Sequence, residues 1–140
     1  MAFKLPAFGK KKRKDQPINR KLQIISKNAP FQYVEAYKTL RTNINFMAAS
    51  NNYRRLVITS SIPGEGKSNV AINLAISLAE NGKKVLIIDC DLRKPVMHKY
   101  LRITRRASGL TNVLSGEATP ADVIVHFSDL NIDLITAGVI

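Results

Sequence analysis

The sequence predicts an α/β fold built on a mostly parallel β-sheet. Three short apolar runs, at residues 55–60, 84–89 and 131–138, have the length and β-branched content of buried strands. Segments with helical periodicity separate these runs, and a glycine-containing turn joins the first run to the helix that follows it. Strands that alternate with helices pair in parallel through right-handed crossovers. Ligands of such sheets bind beyond the carboxyl ends of the strands, so those ends are where a functional site is expected.

The helices are predicted from apolar residues that recur three and four positions apart. A first helix follows Pro30, and a second follows the glycine-containing turn and ends at Asn81-Gly82. Shorter helices are expected after Pro95, near residues 110–114 and from Thr119-Pro120, where a capping hydroxyl precedes a proline. The predicted buried faces are Phe31, Val34, Tyr37, Leu40, Ile44 and Met47 for the first helix, and Val70, Ala71, Leu74, Ala75, Leu78 and Ala79 for the second.

Length and composition indicate one globular domain. The 140 residues suffice for a single hydrophobic core, and the 45% apolar content exceeds that of disordered chains. No apolar run approaches the roughly 20 residues of a membrane-spanning helix, and no secretory signal is recognisable. The single cysteine, Cys90, excludes a disulfide framework and is expected to be a small buried residue. A cytoplasmic protein is therefore expected.

The positive charge is concentrated at the N-terminus. Residues 1–27 carry nine Lys or Arg and one Asp, which accounts for +8 of the net charge of +12. Prolines and glycine interrupt this stretch, so residues 1–29 are predicted to form a basic flexible arm and residues 30–140 the folded domain. The arm could dock on an anionic membrane surface or remain a solvated tail. Nucleic-acid binding is not expected.

The turn SSIPGEGKS at residues 60–68 has the features of a phosphate-binding loop. Gly64 and Gly66 allow a tight turn and a close approach of backbone amides to an anion, at the positive end of the following helix. Lys67 is expected to reach the β- and γ-phosphates of a nucleotide, and the Ser68 hydroxyl to bind Mg²⁺. Ser61 stands where the motif usually has its first glycine. The Glu65 carboxylate is expected to point to solvent, because it would repel phosphates.

A pair of acidic residues follows the second predicted strand, in the sequence LIIDCDLRKP. Asp89 and Asp91 are two positions apart, so their side chains share one face of an extended chain. Two carboxylates at a strand end suit Mg²⁺ coordination, and one of them could accept a hydroxyl proton. Arg93 could neutralise phosphate charge. A solvated acidic turn is the alternative for this segment taken alone.

These motifs, in this order, resemble those of the bacterial tyrosine kinases of capsule and exopolysaccharide synthesis. ITSSIPGEGKS and VLIIDCDLRKP are similar to the Walker A and Walker A′ motifs of that family. In EAYKTLRTNINF, Glu35 and Arg41 fit the family's E-x-x-R-x-x-R self-association pattern, while Lys38 replaces its first arginine. GLTNVLSGE and NIDLITAG are also similar, so the resemblance covers residues 30–138.

The resemblance implies a P-loop NTPase-like three-layer fold and ATP-dependent, Mg²⁺-dependent phosphorylation of protein tyrosines, including the enzyme's own. It implies a transmembrane adaptor as partner, ring-like self-association and a location at the inner face of the plasma membrane. Lys67, Asp89 and Asp91 would be catalytic, with Ser68 and the two aspartates holding the metal. The nucleotide would contact Ser61, Pro63, Gly64, Glu65, Gly66, Lys67, Ser68, Asn69 and Arg93.

Two family features do not occur in these residues, so other interpretations stay open. No third apolar run closes on an aspartate and the tyrosines are not clustered, which predicts a domain that is incomplete at its C-terminus. A ParA/MinD-like ATPase is one alternative, although Ile62 stands where that group has its signature lysine. A non-catalytic, nucleotide-binding regulatory module is the other.

Overall fold

The computed structural model describes residues 29–103 and 108–138, so the predicted basic arm lies almost wholly outside the described residues. No helix in the described part combines the length and apolarity needed to cross a membrane. All five predicted helices are confirmed. In chain order the elements are α1 (Phe31–Asn51), α2 (Lys67–Glu80), β1 (Leu86–Ile88), α3 (Met97–Tyr100), α4 (Leu110–Leu114), α5 (Pro120–Val123), β2 (Val125–Phe127) and β3 (Ile132–Ile135).

The sheet has the strand order β1-β3-β2 among the described residues. β1 and β3, both predicted from their apolar runs, pair in parallel with Ile87 opposite Leu134. β2 was not predicted; it is a three-residue strand that pairs with β3 in the antiparallel direction through a short connection. Asn131 has a left-handed backbone (φ 52°) in that connection, a conformation that asparagine tolerates better than most residues. The carboxyl ends of β1 and β3 lie at the same edge of the sheet.

The predicted strand at residues 55–60 is wrong for the described structure. This segment forms no ladder with any described strand, and the side chain of Val57 is 85% exposed and that of Leu56 56% exposed. A β-branched run favours an extended backbone, but a strand also requires a neighbour whose amides and carbonyls complete the ladder. The described residues provide none on this side, because β1 pairs with β3 alone. The segment therefore enters the phosphate loop without belonging to the sheet.

The core lies between α2 and the sheet. Ile72 on α2, Leu101 after α3, and Ile132 and Leu134 on β3 are at most 1% exposed. α2 is buried over most of its circumference from Ile72 to Ala79, whereas Val70, which was predicted to face the core, is 36% exposed. A helix apolar on nearly every side has to be enclosed, and α1 encloses it from the outside.

The predicted apolar face of α1 is right for three of its six residues and wrong for the other three. Tyr37 is buried and Val34 and Ile44 are partly buried, but Phe31 is 76% exposed and Met47 54% exposed. The prediction failed for the rest because polar contacts with α2, described below, share the buried side of α1 with these apolar residues.

The loop before α4 docks on the carboxyl end of β3 through its backbone. The amide of Leu110 donates to the carbonyl of Thr136 at 2.7 Å, and that of Thr111 donates to Ala137 at 3.0 Å. A Cβ at Gly109 would lie far inside van der Waals contact with the backbone of Gly138 and Thr136. The glycine therefore permits two backbones to approach side by side at the edge that carries the candidate site.

Candidate nucleotide-binding site

The phosphate loop is a tight turn that ends directly at a helix N-terminus. Gly64 and Gly66 have φ values of 86° and 88°, in the left-handed region, and open space surrounds both, so backbone conformation is what requires glycine there. Gly66 caps α2, whose first residues are Lys67 and the buried Ser68. The first amides of a helix have no partner within it and carry the positive end of its dipole. The predicted anion-binding geometry is therefore present.

The Glu65 carboxylate bends back onto the loop. Its Oε2 accepts hydrogen bonds from the amide of Ser61 at 3.0 Å and from that of Ile62 at 3.3 Å. The residue is exposed, as expected, but it is bound to the loop rather than directed freely into solvent. Two amides that converge on one carboxylate oxygen form a site suited to an anion. The same contact stabilises the turn before Gly64.

Lys67 joins the phosphate loop to the end of β1. Its Nζ lies 2.9 Å from Oδ2 of Asp91, and both side chains are about one-third exposed. The hydrogen bond with Asp91 raises the pKa of Lys67, and the same bond holds the pKa of Asp91 below its ordinary value. The other oxygen of Asp91, Oδ1, accepts the amide of Lys94 at 3.1 Å. The structure thus brings two predicted catalytic residues together, with both carboxylate oxygens of Asp91 engaged.

Asp89 differs from Asp91 in its environment. It is 4% exposed, its Oδ1 accepts the amide of Asp91 at 3.1 Å, and its Oδ2 is buried without a hydrogen-bond partner among the described residues. Burial raises the pKa of Asp89, although hydrogen bonds from the amides of Asp91 and Met97 oppose the shift. An unpartnered, buried carboxylate oxygen is costly unless a proton, a water or a cation approaches it.

The donor set fits Mg²⁺ held jointly by protein and nucleotide. Among residues 29–103 and 108–138 no three His, Cys, Asp or Glu side chains cluster as a metal cage. Mg²⁺ usually binds one or two carboxylates and completes its octahedron with phosphates and waters. The unpartnered Oδ2 of Asp89 and the buried hydroxyl of Ser68 are oxygens of the required kind.

The remaining predicted site residues lie at the periphery. Pro63 and Arg93 are exposed. Cys90 is exposed as well, so the prediction that it is buried is wrong: the alternation that buries Asp89 turns its neighbour outward.

The three residues predicted to mediate self-association lie on α1, and they differ in their contacts. Glu35 and Lys38 form an exposed ion pair one turn apart, at 2.8 Å. Arg41 instead donates from Nη1 to the carbonyl of Ser77 on α2 at 2.8 Å. Arg41 therefore contributes to the packing of α1 within the chain.

Sequence reasoning missed a polar cluster between α1 and the first turns of α2, formed by Tyr33, Asn69 and Asn73. The Tyr33 hydroxyl donates to Oδ1 of Asn69 at 3.1 Å, and Nδ2 of Asn73 donates to the Tyr33 oxygen at 2.8 Å. Asn73 Nδ2 also contacts Oδ1 of Asn69 at 2.6 Å. Asn73 is completely buried. The sequence feature that could have revealed this cluster is the pair of asparagines, Asn69 and Asn73, four residues apart in the otherwise largely apolar helix α2.

Comparison with known proteins identifies the family of the chain. The family described as "AAA domain" matches residues 53–139. The chain is 41% identical over 104 residues to tyrosine-protein kinase YwqD of Bacillus subtilis (strain 168), a match that covers 74% of this chain and 44% of the relative. It is 35% identical over 128 residues to tyrosine-protein kinase ptk of Acinetobacter johnsonii, covering 91% of this chain and 17% of the relative.

A solved structure agrees with these matches. The kinase domain of the Escherichia coli tyrosine kinase ETK superposes with a TM-score of 0.70 at 34% identity, over 86% of this chain and 50% of that one. The chain thus spans less than half the length of the curated relatives named above. The P-loop NTPase-like α/β fold and the resemblance to bacterial tyrosine kinases are both confirmed. The relatives named above are tyrosine-protein kinases, and the chain belongs to the AAA domain family.

Proposed function

We propose that this chain supplies the nucleotide-binding part of an ATP-dependent protein-tyrosine kinase, one that phosphorylates its own tyrosines and regulates capsule or exopolysaccharide synthesis and export. The observation that carries the proposal is the 2.9 Å contact between Lys67 of the phosphate loop and Asp91 at the end of β1. It joins the two motifs on which the predicted chemistry depends. Relatives named as tyrosine-protein kinases supply the reaction type.

The chemistry of phosphoryl transfer suits this arrangement. The transferred group needs positioning and charge neutralisation more than covalent assistance. In the proposal, the amides after Gly64 and the Lys67 ammonium hold the phosphates of ATP, while Ser68 and Asp89 bind Mg²⁺. Magnesium neutralises phosphate charge when it is bound. Lys67 would exchange its contact with Asp91 for one with a phosphate, which frees the Asp91 carboxylate to orient a tyrosine hydroxyl.

The proposal extends to partners. A transmembrane adaptor, a ring of identical chains and attachment at the inner face of the plasma membrane follow from the family resemblance. On α1, the exposed Glu35–Lys38 pair is available to a neighbouring chain, whereas Arg41 has an acceptor within its own chain. A self-association surface would therefore use the outer side of α1.

Calorimetric titration with Mg²⁺ and ADP tests nucleotide binding by this chain. Lys67→Met should abolish binding because it removes the ammonium that faces the phosphates. Lys83→Met, at an exposed lysine beyond α2, is the matched control and should bind as the parent does. If the folded parent shows no affinity for the nucleotide, the proposed function is wrong.

Immunodetection of phosphotyrosine after incubation with ATP and Mg²⁺ tests the reaction. Phosphate release without phosphotyrosine would support the ParA/MinD-like alternative. Binding without turnover would support a regulatory module. One observation favours that second candidate: both oxygens of Asp91 are engaged, by Lys67 and by the amide of Lys94, so neither is free to receive a tyrosine hydroxyl until Lys67 moves.

A further inference from the structure

The side chain of Asn69 occupies a position between the phosphate loop and α1. It is the third residue of α2 and directly follows Ser68. Its Oδ1 faces the interface with α1, where it accepts from the Tyr33 hydroxyl at 3.1 Å and from Nδ2 of Asn73 at 2.6 Å. Because a carboxamide is planar, fixing its oxygen fixes the direction of its nitrogen. The Nδ2 of Asn69 is therefore turned away from the α1–α2 interface.

The nitrogen of Asn69 is a donor without an acceptor in the described part of the chain, since no hydrogen bond of this group occurs there. It lies in the first turn of α2, where the unpaired backbone amides already favour an anion. A neutral carboxamide at this point can add a directed N–H donor to the phosphate site. Donors that are fixed before the ligand arrives contribute more than mobile ones, because binding does not have to order them.

Tyr33 is the group that fixes this carboxamide from another helix. Its ring is held edge-on against the buried Tyr37, with 5.1 Å between ring centroids. Its hydroxyl accepts from Asn73 and donates to Asn69, so the direction of both bonds is defined. Burial, followed by hydrogen bonding to Tyr37, raises the pKa of Tyr33 to about 12. The hydroxyl thus remains a neutral donor over the whole physiological range.

We propose that Tyr33 is a positioning residue of the nucleotide site, whose hydroxyl orients the Asn69 carboxamide so that its N–H groups face a phosphate of the bound nucleotide. The inference rests on the proposed function, because it assumes a nucleotide in the loop. In this inference α1 contributes to nucleotide binding through Tyr33, which acts on Asn69 and does not contact the phosphate itself.

A double-mutant cycle on nucleotide affinity tests the inference. Tyr33→Phe removes the hydroxyl and keeps the ring. We expect it to weaken binding of Mg²⁺-ADP by about threefold to tenfold, the usual effect of one hydrogen bond. In the Asn69→Ala background the same substitution should have no effect on affinity, since no carboxamide is left to orient. Tyr53→Phe, at the 64% exposed Tyr53 beyond the end of α1, is the matched control and should leave affinity unchanged.

The cycle separates positioning from a merely structural role. If Tyr33 only secured α1, Tyr33→Phe would lower the melting temperature and change affinity equally with and without Asn69, and the inference would be overturned. Unchanged affinity in Tyr33→Phe would also overturn it and leave the proposed function intact. Failure of the parent chain to bind the nucleotide would overturn the proposed function, and this inference with it.

An NMR measurement gives an independent readout of the same inference. In the parent, the Asn69 side-chain amide signal should shift when Mg²⁺-ADP is added. In Tyr33→Phe that shift should shrink, because the carboxamide keeps only the bond from Asn73 and is held less firmly. A signal that does not respond to the nucleotide in the parent would contradict the proposed contact.

Discussion

Replacement of Asp89 by asparagine should stabilise the folded chain at neutral pH while it removes magnesium-dependent nucleotide binding. Asp89 is 4% exposed, and its Oδ2 is buried without a partner among the described residues. Asparagine has the same shape and keeps an oxygen to accept the amide of Asp91, now 3.1 Å away. The substitution therefore removes a buried charge without opening a cavity.

The expected magnitude follows from the unpartnered oxygen. A buried polar atom that lacks its hydrogen bond costs about 1–3 kcal/mol, and a charged one costs more. Asparagine places a neutral amino group in the same position, which retains part of that cost. A net gain of about 1 kcal/mol in the free energy of unfolding is expected, and for a domain of this size it corresponds to a rise of about 3–4 °C in melting temperature.

The pH dependence of the stability gain shows whether the buried charge of Asp89 is its cause. Burial raises the pKa of Asp89 above its value in the unfolded chain, so the folded state holds the proton more tightly. The cost of ionising Asp89 is absent below the unfolded pKa of about 4 and grows as the pH rises from there until the folded pKa is passed. The advantage of Asp89→Asn should therefore be larger at neutral pH than in acid, and shrink as the pH falls towards about 4.

Urea unfolding followed by circular dichroism, with a chelator present, measures the free energy of unfolding of the parent and of Asp89→Asn between pH 4.5 and pH 8. The difference gives the stability gain at each pH. Asp129→Asn, at an exposed aspartate, is the control and should change stability by less than about 0.5 kcal/mol at every pH. The reasoning is refuted if Asp89→Asn is less stable than the parent at neutral pH, or if its advantage does not vary with pH.

Three further substitutions test other parts of the structure. Leu134→Ala, in the middle strand and 0% exposed, should cost about 2–5 kcal/mol in urea unfolding. Gly109→Ala should cost about 1–3 kcal/mol by the same measurement, because its methyl group would press on the backbone of Gly138; unchanged stability would show that this loop is not docked as described. Asp91→Asn should lower the pKa of Lys67 towards its ordinary value in an NMR titration, because the hydrogen bond to the carboxylate is the main cause of its elevation.

The sequence predicted the elements and the partners in the site better than it predicted burial. The phosphate loop could be placed because glycine, lysine and serine at fixed spacing perform functions that depend on local backbone. The proximity of Lys67 to Asp91 was expected from two predicted strand ends at one edge of a sheet, although the first of those strands does not form. Those inferences require no knowledge of side-chain packing.

The different environments of Asp89 and Asp91 could not be predicted in the same way. Both follow the same strand, and alternation places them on the same face. Asp89 is nevertheless buried with an unpartnered oxygen, whereas Asp91 is accessible and paired with a cation. What separates them is the surrounding chain: the Lys94 amide, after the strand, and Lys67, at the start of α2, reach Asp91 but not Oδ2 of Asp89. Tertiary contacts of this kind leave no periodic signal.

The predicted apolar face of α1 differs from the observed one because polar groups of α1 also contact α2. Tyr33, Tyr37 and Arg41 recur every four residues on α1. The Tyr33 hydroxyl contacts Asn69 and Asn73 on α2, while the Tyr37 carbonyl and the Arg41 guanidinium contact Ser77, one turn further along. Ridges with this spacing pack into one another along two helices. In this register the buried Asn73 contacts the Tyr33 oxygen and Arg41 reaches the Ser77 carbonyl, each at 2.8 Å, and another register would have to replace both bonds. The polar contacts therefore define one register of α1 on α2, and that register brings the Tyr33 hydroxyl to the helix turn that follows the phosphate loop.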